Sequence, residues 1–416
     1  MTGEQSEARN KGPLSGLRAI ELGSTVAGPF CARLLADFGA DVIKVEQGEG
    51  DAVRSMGRQC NGRSLYGASI LRGKRAVSIN LRTEEGRALV RRLCETADIV
   101  VENFRAGTLE RWGLGYETLS AVNPGLVMVR ISGYGQDGPY SDRGGYGVVC
   151  EAVSGLREIT GDPDRPPPRI ATSLTDYIAG LYGAFGAVMA VLERTRTGRG
   201  QVVDSALYEG SFSFMEPHIP AFQQLGEVAR RAGSRLPGNV PNSLFETRDH
   251  RHIVLAAASD PVFARLAEAM GQPALAKDPR FVTALKRAGN EEACEAIIGK
   301  WTRSLDLAEV EAALREAKVP AAPIYTVEDI FADPHYRHRD MLVEVEDRVL
   351  GPVTVTGIVP KLSATPGAVG WAGRDIGEDT VEVLKTELEL AEAEIETLAR
   401  AGVVAGPGLA VGGEGS

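Results

Sequence analysis

Apolar and polar positions along the first half of this chain alternate between two textures. Leu17 to Leu22 (LRAIEL), Asp41 to Glu46 (DVIKVE), Asp98 to Glu102 (DIVVE) and Leu126 to Ile131 are short apolar runs rich in Val and Ile, the pattern of buried strands. Val77 to Leu81 predicts a further short strand. Between them the period changes. Ala27 to Phe38 carries Phe30, Leu34, Leu35 and Phe38 at helical spacing, and Glu84 to Thr96 also reads as helix. Gly107 to Trp112 and Tyr116 to Val122 predict short helices. A long apolar helix is predicted from Gly180 to Leu192; Gly200 to Ala206 (GQVVDSA) follows, then helix to about Leu225. Strands alternating with helices predict an α/β fold with a parallel sheet.

The texture then breaks. Gly233 to Asn242 (GSRLPGNVPN) is rich in Gly, Pro and Asn and predicts a long loop. Residues 243–325 carry one predicted strand, His252 to Ala257, and helices at Pro261 to Met270, Glu291 to Ser304 and Leu307 to Ala317, a candidate second domain. From Tyr325 the chain turns to loops and short strands (Leu342 to Val345, Pro352 to Val355), then helices at Thr380 to Thr386 and Glu387 to Ala401. Residues 1–14 are polar and expected to be disordered, and the glycine-rich tail is expected to be flexible.

Composition narrows the function. A chain of 416 residues exceeds one ordinary domain. Its net charge of −10 argues against nucleic acid and against an anionic membrane as partners. The five cysteines (Cys31, Cys60, Cys94, Cys150, Cys294) are dispersed, with no CxxC spacing, which reads as reduced thiols and no zinc framework. His335 and His338 lie three apart, but spacing supplies no acidic or cysteine partner, so no metal site is expected. The polar, acidic start carries no signal peptide, and the longest apolar run, Ala179 to Leu192, is too short for a bilayer. The expectation is a soluble cytoplasmic protein.

Five segments are candidates for chemistry. Asp176 stands in Ala171-Thr172-Ser173-Leu174-Thr175-Asp176-Tyr177-Ile178, ahead of the long apolar helix. A carboxylate among small and apolar neighbours is poorly solvated and can serve as a nucleophile. It can equally be an acid in a first helical turn, stabilised by the helix dipole. The first strand–helix turn, Gly23-Ser24-Thr25-Val26-Ala27-Gly28-Pro29, lacks G-x-G-x-x-G, and Pro29 stands where a P-loop needs Lys, so neither NAD nor ATP is supported. It can still aim helix N-terminal N–H groups at a ligand. Asp98 to Arg111 ends a strand at Asn103-Phe104, where open α/β sheets place ligands, with Arg105 and Arg111 as charges for phosphate. Arg72, Lys74, Arg75 and Arg82 form a second basic group, and Ser132 to Tyr140 is a glycine-rich third strand end.

Taken in order, LRAIELGSTVAGPFCARLLADFGADVIKVE, GKRAVSINLRTEEG, VENFRAGTLERWGLGYE, ISGYGQDGPYSDRGGYG, the TDYIAGLYG block, RTGRGQVVD, VPAAPIYTVEDIFADPH and LARAGVV resemble the class III CoA-transferases over about residues 15–403. That group includes formyl-CoA:oxalate, carnitine and succinyl-CoA:dicarboxylate CoA-transferases. The resemblance implies a large Rossmann-like domain with a parallel sheet, built from both chain ends, a smaller inserted α+β domain, and an interlocked homodimer. The division it implies is a disordered 1–14, a large CoA-binding domain at 15–225, a small domain at 226–325, a return to the large domain at 326–403, and a flexible tail at 404–416. It implies Asp176 as the catalytic nucleophile, passing through aspartyl anhydride and aspartyl-CoA thioester intermediates. Implied CoA contacts fall on Ser24, Thr25, Ala27, Ile79, Arg82, Asn103, Phe104, Thr108 and Arg111, with Phe104 or Trp112 beside the adenine or pantetheine. Coenzyme A and acyl-CoA enter as substrates, with no permanently bound cofactor.

Departures refine the substrate. Val26 and Gln47 replace a glutamine and an arginine of the formyl-CoA enzyme, and Gly233 to Asn239 has isolated glycines where that enzyme has a tetraglycine loop, which argues against formyl-CoA:oxalate specificity. Tyr146 stands where related acyl-CoA racemases have His, and no His occurs before His218, so the second proton-transfer group of a racemase is missing. The competing reading is an acyl-CoA isomerase, racemase or intramolecular CoA transferase on the same fold. The expected partners are succinyl-CoA as donor and a small dicarboxylic acid as acceptor, whose second carboxylate Arg143 or Arg169 would pair.

Overall fold

A computed structural model describes residues 12–410, which form two compact units. Within that range residues 12–156, 170–219 and 335–410 make up the first, and residues 157–169 and 220–334 the second.

The first unit begins with β1 (Arg18–Glu21), α1 (Ala27–Asp37), β2 (Asp41–Glu46), β3 (Lys74–Ile79), α2 (Glu84–Glu95), β4 (Ile99–Glu102), α3 (Thr108–Arg111) and β5 (Val127–Ser132). Then come α4 (Gly147–Val153), α5 (Leu174–Thr197) and β6 (Val202–Ala206). The second unit contains β7 (Asn242–Glu246), β8 (His252–Ala256), α6 (Asp260–Ala269), α7 (Glu291–Thr302), α8 (Leu307–Glu316) and β9 (Ala321–Pro323). The chain returns to the first unit with the hairpin β10 (Leu342–Asp347) and β11 (Gly351–Thr356), then α9 (Thr380–Leu388), α10 (Glu392–Arg400) and β12 (Val404–Ala405).

The main sheet has seven strands in the order β12-β3-β2-β1-β4-β5-β6. All pairs are parallel except β12 with β3. The fold is mixed α/β, doubly wound, and its strand order reverses between β1 and β4. Alternation explains why the strands read as continuous apolar runs. Ile20, Ile43, Val77 and Val100 pack on one side with Leu89, Leu93, Leu384 and Ile395. Their neighbours Ala19, Val42, Ile99 and Val101 pack on the other with Leu35, Ala184 and Ala187. A sheet covered on both faces has no polar face to mark its period. Each fully buried Val, Ile or Leu side chain contributes about 1.5–3 kcal/mol.

Several expectations are corrected. The predicted helix 180–192 is the middle of α5, which spans 24 residues from Leu174, so Asp176 lies inside the helix, in its first turn. By length and composition alone α5 is long and apolar enough to cross a membrane, a property that core helices of soluble proteins share. Its buried face is Ala179, Gly180, Gly183, Ala184, Ala187 and Ala190, which packs on α1 and the sheet. A Cβ on Gly180 would lie 2.7 Å from the Ala27 carbonyl oxygen, so this close approach needs glycine. In the second unit, the single expected strand is the middle of a three-stranded antiparallel sheet, β9-β8-β7. Pairing across distant sequence, and the prolines Pro320 and Pro323, hid β9, while β7 directly follows the Gly- and Pro-rich stretch predicted as loop. Residues 1–11 and 411–416, parts of the expected disordered start and flexible tail, lie outside the described residues. Leu14, by contrast, donates its N–H to the Phe38 carbonyl (3.0 Å) and packs on the core, and β12 pairs with β3.

Candidate functional site

At the reversal between β1 and β4 the two following turns are joined by one side chain. Asn103 Oδ1 accepts from the Ser24 N–H at 2.8 Å, and its Nδ2 donates to the Ser24 carbonyl at 2.8 Å. Gly23 and Gly28 make room for it: a Cβ on Gly23 would lie 3.0 Å from Asn103 Oδ1 and 3.1 Å from the Gly28 Cα. Ser24 Oγ and Thr25 Oγ1 are 3.2 Å apart. Thr25 holds φ +74°, left-handed backbone that a β-branched residue rarely adopts.

Beneath this turn lies a buried charge cluster. Lys44 Nζ bonds Glu21 Oε1 (2.9 Å), Asp51 Oδ2 (2.7 Å) and the Gly23 carbonyl. Lys74 Nζ bonds Glu21 Oε2 (2.6 Å) and the Pro29 carbonyl (2.7 Å). Asp51 Oδ1 accepts from the Thr25 N–H (2.7 Å) and the Val53 N–H (2.9 Å). Burial pushes the Asp51 carboxyl up, but the Lys44 ammonium and these hydrogen bonds prevail and hold it below the usual range.

Asp176 reaches the same neighbourhood from α5. Its half-buried carboxylate lies against Gly147: a Cβ there would fall 2.1 Å from Asp176 Oδ2. Thr175 Oγ1 donates to the Gly147 carbonyl at 2.9 Å, so the first turns of α5 and α4 are clamped together. The Tyr177 ring meets Phe30 of α1 edge-on at 4.7 Å, and its hydroxyl lies 2.8 Å from that of Tyr66. Burial, the Tyr177 hydroxyl and the Asp176 charge together raise the Tyr66 phenol well above its ordinary value, so it stays a neutral donor. Burial, with the same Asp176 charge, pushes the Cys150 thiol up to about 11, which leaves it unreactive.

The remaining predicted residues divide. Ser24, Thr25 and Asn103 come together at the turn. Ala27 and Ile79 have side chains buried in the two core layers, so only backbone is presented to a ligand there. Phe104 packs edge-on against Trp112 at 5.2 Å. Its N–H donates to Glu102 Oε2 (2.7 Å), and Arg130 bridges Glu102 (2.8 Å) and Glu110 (2.7 Å), which fixes the loop between β4 and α3. Burial pushes the Glu102 carboxyl up to about 7 against the pull of Arg130. Thr108 Oγ1 accepts from Arg111 Nη2 at 3.0 Å, and the side chains of Arg82 and Arg111 are exposed.

Three members of the second basic group, Arg72, Lys74 and Arg75, are committed to ion pairs and do not form a phosphate site; Arg82 stays exposed. Arg72 is buried and pairs with Asp37 (2.7 Å), Lys74 with Glu21, and Arg75 with Asp41 and Glu387. Arg143 lies over the Tyr140 ring at 3.6 Å, and Arg169 is an exposed residue of the second unit. Among the described residues no group of His, Cys, Asp and Glu could hold a metal ion. Reading the sequence missed Tyr66, Lys44, Asp51 and Gly147. The acid in Gly48-Glu49-Gly50-Asp51, after a strand with Lys44 in its interior, was the available signal for the buried pair.

Comparison with known proteins identifies the family. A family model described as CoA-transferase family III matches residues 14–380. The succinyl-CoA–D-citramalate CoA-transferase of Chloroflexus aurantiacus is 46% identical over 395 residues, 94% of this chain and 98% of that protein. The succinyl-CoA:mesaconate CoA-transferase of Haloarcula marismortui is 38% identical over 383 residues, 90% of this chain and 96% of that protein. A crystal structure of a CAIB/BAIF family protein from Brucella suis superposes with a TM-score of 0.81 at 34% identity, covering 91% of this chain and 100% of that one. The chain belongs to CoA-transferase family III.

Proposed function

We propose that this enzyme moves CoA from succinyl-CoA to a small dicarboxylic acid, with Asp176 as the covalent nucleophile. The observation that carries the reading is the Asp176 carboxylate, held against Gly147 at the start of α5 beside the β1–α1 turn. Asp176 attacks the thioester carbonyl, the C–S bond breaks, and CoA leaves as the thiolate. The thiolate attacks the aspartyl carbonyl of the resulting anhydride, releasing succinate and forming an aspartyl-CoA thioester. The acceptor carboxylate attacks that thioester, again expelling the thiolate, and forms the second anhydride. Attack of the thiolate on the acceptor's acyl carbon regenerates Asp176. Each step exchanges one acyl bond for another, so no oxidant, metal or net proton is required.

The nucleotide end of CoA is assigned to the turns after β1, β3 and β4. Backbone at Ser24, Thr25, Ala27 and Ile79 lines it, Arg82 and Arg111 are exposed for phosphate, and Phe104 and Thr108 flank it. Asn103 acts there by holding Ser24. The first unit is the CoA-binding domain, and the second the smaller one. The dicarboxylate assignment rests on relatives named for citramalate and mesaconate; Arg143 is its candidate cation within the first unit. A homodimer is supported by the outer face of α5, where Leu181, Phe185, Met189 and Leu192 stand 55–69% exposed. Dispersed free cysteines fit a cytoplasmic enzyme.

The test is to incubate the enzyme with succinyl-CoA and citramalate, malate, mesaconate, itaconate, glutarate, butyrate, oxalate or carnitine, and to identify new acyl-CoAs by mass. Dicarboxylates should give the highest kcat/KM. Better kcat/KM for butyrate or carnitine would overturn the substrate class, and conversion of one acyl-CoA with no acid present would replace transfer by isomerisation.

A further inference from the structure

The geometry points to Asp51 as a positioning residue for the CoA-binding turn, acting through the backbone of Thr25; the inference rests on the assignment of that turn to CoA. Asp51 side-chain oxygens are fully buried, and both are committed. One binds Lys44, and the other takes the N–H groups of Thr25 and Val53. Asp51 is itself held at its backbone: its N–H donates to Glu46 Oε1 at 2.8 Å, and Glu46 is clamped by Arg54 at 2.6 and 2.7 Å. A rigid chain of contacts therefore runs from the end of β2 to the turn after β1.

Thr25 needs such a hold. Its φ of +74° is disfavoured for a β-branched residue and persists only where surroundings over-determine it. Two neighbours hold the turn from other sides: Asn103 pairs with both backbone groups of Ser24, and Lys44 bonds the Gly23 carbonyl. Asp51 accepts from the N–H of the strained residue itself, and it also holds Lys44 in place. Charge balance explains why an acid is used. Two ammonium groups, Lys44 and Lys74, face two carboxylates, Glu21 and Asp51, and all four are buried. The cluster is charge-balanced and each of its four charged groups is hydrogen-bonded, the condition under which buried charges are tolerated. It fixes the direction of the backbone N–H and C=O groups at Ser24 and Thr25 before any ligand arrives, which removes an ordering cost from binding.

The experiment is a double-mutant cycle read by the Kd for CoA, measured calorimetrically, together with the KM for the acid. Glycine adopts φ +74° freely, so Thr25→Gly removes the need for a hold. Asp51→Ala is expected to weaken CoA binding about tenfold, equivalent to about 1.4 kcal/mol, with the KM for the acid changed less than about twofold. In the Thr25→Gly background the same substitution is expected to weaken CoA binding about threefold or less. Circular dichroism and the thermal midpoint establish that each variant is folded. Should Asp51→Ala not fold, Asp51→Asn, which leaves one carbonyl oxygen for two backbone donors and Lys44, carries the same cycle. Equal loss in both backgrounds, an unchanged CoA Kd in a folded variant, or equal effects on CoA and acid would each overturn the inference. Arg82→Ala and Arg111→Ala separate the two readings. If they leave CoA binding intact, the assignment of the CoA site fails. If they weaken it while Asp51→Ala does not, only the positioning role fails.

Discussion

The first turn of α5 and the remainder of the same helix are built on opposite terms. In the first turn, polar groups meet at defined distances: Thr175 on the Gly147 carbonyl, Asp176 against the Gly147 Cα, Tyr177 between Phe30 and Tyr66. Beyond it, one face of glycine and alanine sinks into α1 and the sheet, while large apolar side chains stand outward, Phe185 at 60% and Leu192 at 69% exposure. One end tolerates almost no change in geometry. The other is tolerant in shape but unfinished in burial, and a second copy of the chain is the occupant we propose. A small-residue face lets the helix sit close enough to the sheet for its first turn to reach the β1–α1 neighbourhood, so packing along the body of α5 sets the position of Asp176.

That contrast can be broken first at the nucleophile. Asp176→Ala should lose turnover by at least about a thousandfold while the fold and CoA binding persist. Hydroxylamine added after succinyl-CoA should label Asp176 in the wild type; labelling elsewhere, or an alanine variant with near-normal kcat, would remove Asp176 from its role. A sharper probe leaves the carboxylate in place. Gly147→Ala sets a methyl 2.1 Å from the present position of Asp176 Oδ2, so the carboxylate must move. A shift near 1 Å costs on the order of a hundredfold in kcat, with a thermal midpoint close to wild type. Unchanged kcat would mean that the nucleophile does not work from this position.

At the outer face the readout is assembly. Phe185→Asp combined with Leu192→Asp should convert a dimer to monomer or aggregate in sedimentation velocity at micromolar concentration. A monomeric wild type, or an unchanged dimer in the variant, would assign this face to something other than self-association. The smallest effect is expected at Tyr177→Phe. It keeps the ring on Phe30 and loses one hydroxyl partner of Tyr66, a net change of about 1 kcal/mol in stability and a few-fold in kcat. A loss matching that of Asp176→Ala would mean that the tyrosine pair takes part in the chemistry itself.

Much of the parallel-sheet half was legible because its signals are local. Buried strands such as Asp41–Glu46 and helices such as Ala27–Asp37 carry their periods within a few residues, and the structure ends them within a residue or two of the expected positions. The small sheet of the second unit was not legible: β9 pairs with β8 from far along the chain and ends in Pro323 just after Pro320, and β7, though it forms a local hairpin with β8, directly follows the Gly- and Pro-rich stretch predicted as loop. Asp176 stood out as an acid beside an apolar helix, and the reading that placed it in a first helical turn matches the structure, although the helix starts earlier than its apolar run. The basic run misled for a related reason: Arg72, Lys74 and Arg75 look like a phosphate site until Asp37, Glu21 and Asp41 are folded against them.

The order and composition of its segments, by themselves, determined the family of this protein, its alternating α/β half and its candidate nucleophile, because these depend on short-range periodicity and on motifs kept in sequence order. Only the tertiary structure decided what surrounds the nucleophile and the turn. The Gly147 platform, the Tyr66–Tyr177 pair, the Asn103–Ser24 clasp and the Lys44–Asp51 cluster each join residues from separate elements. Hydrogen bonds and ion pairs act over about 3 Å in space, whatever the number of residues between the partners, and that proximity exists only once the sheet has formed.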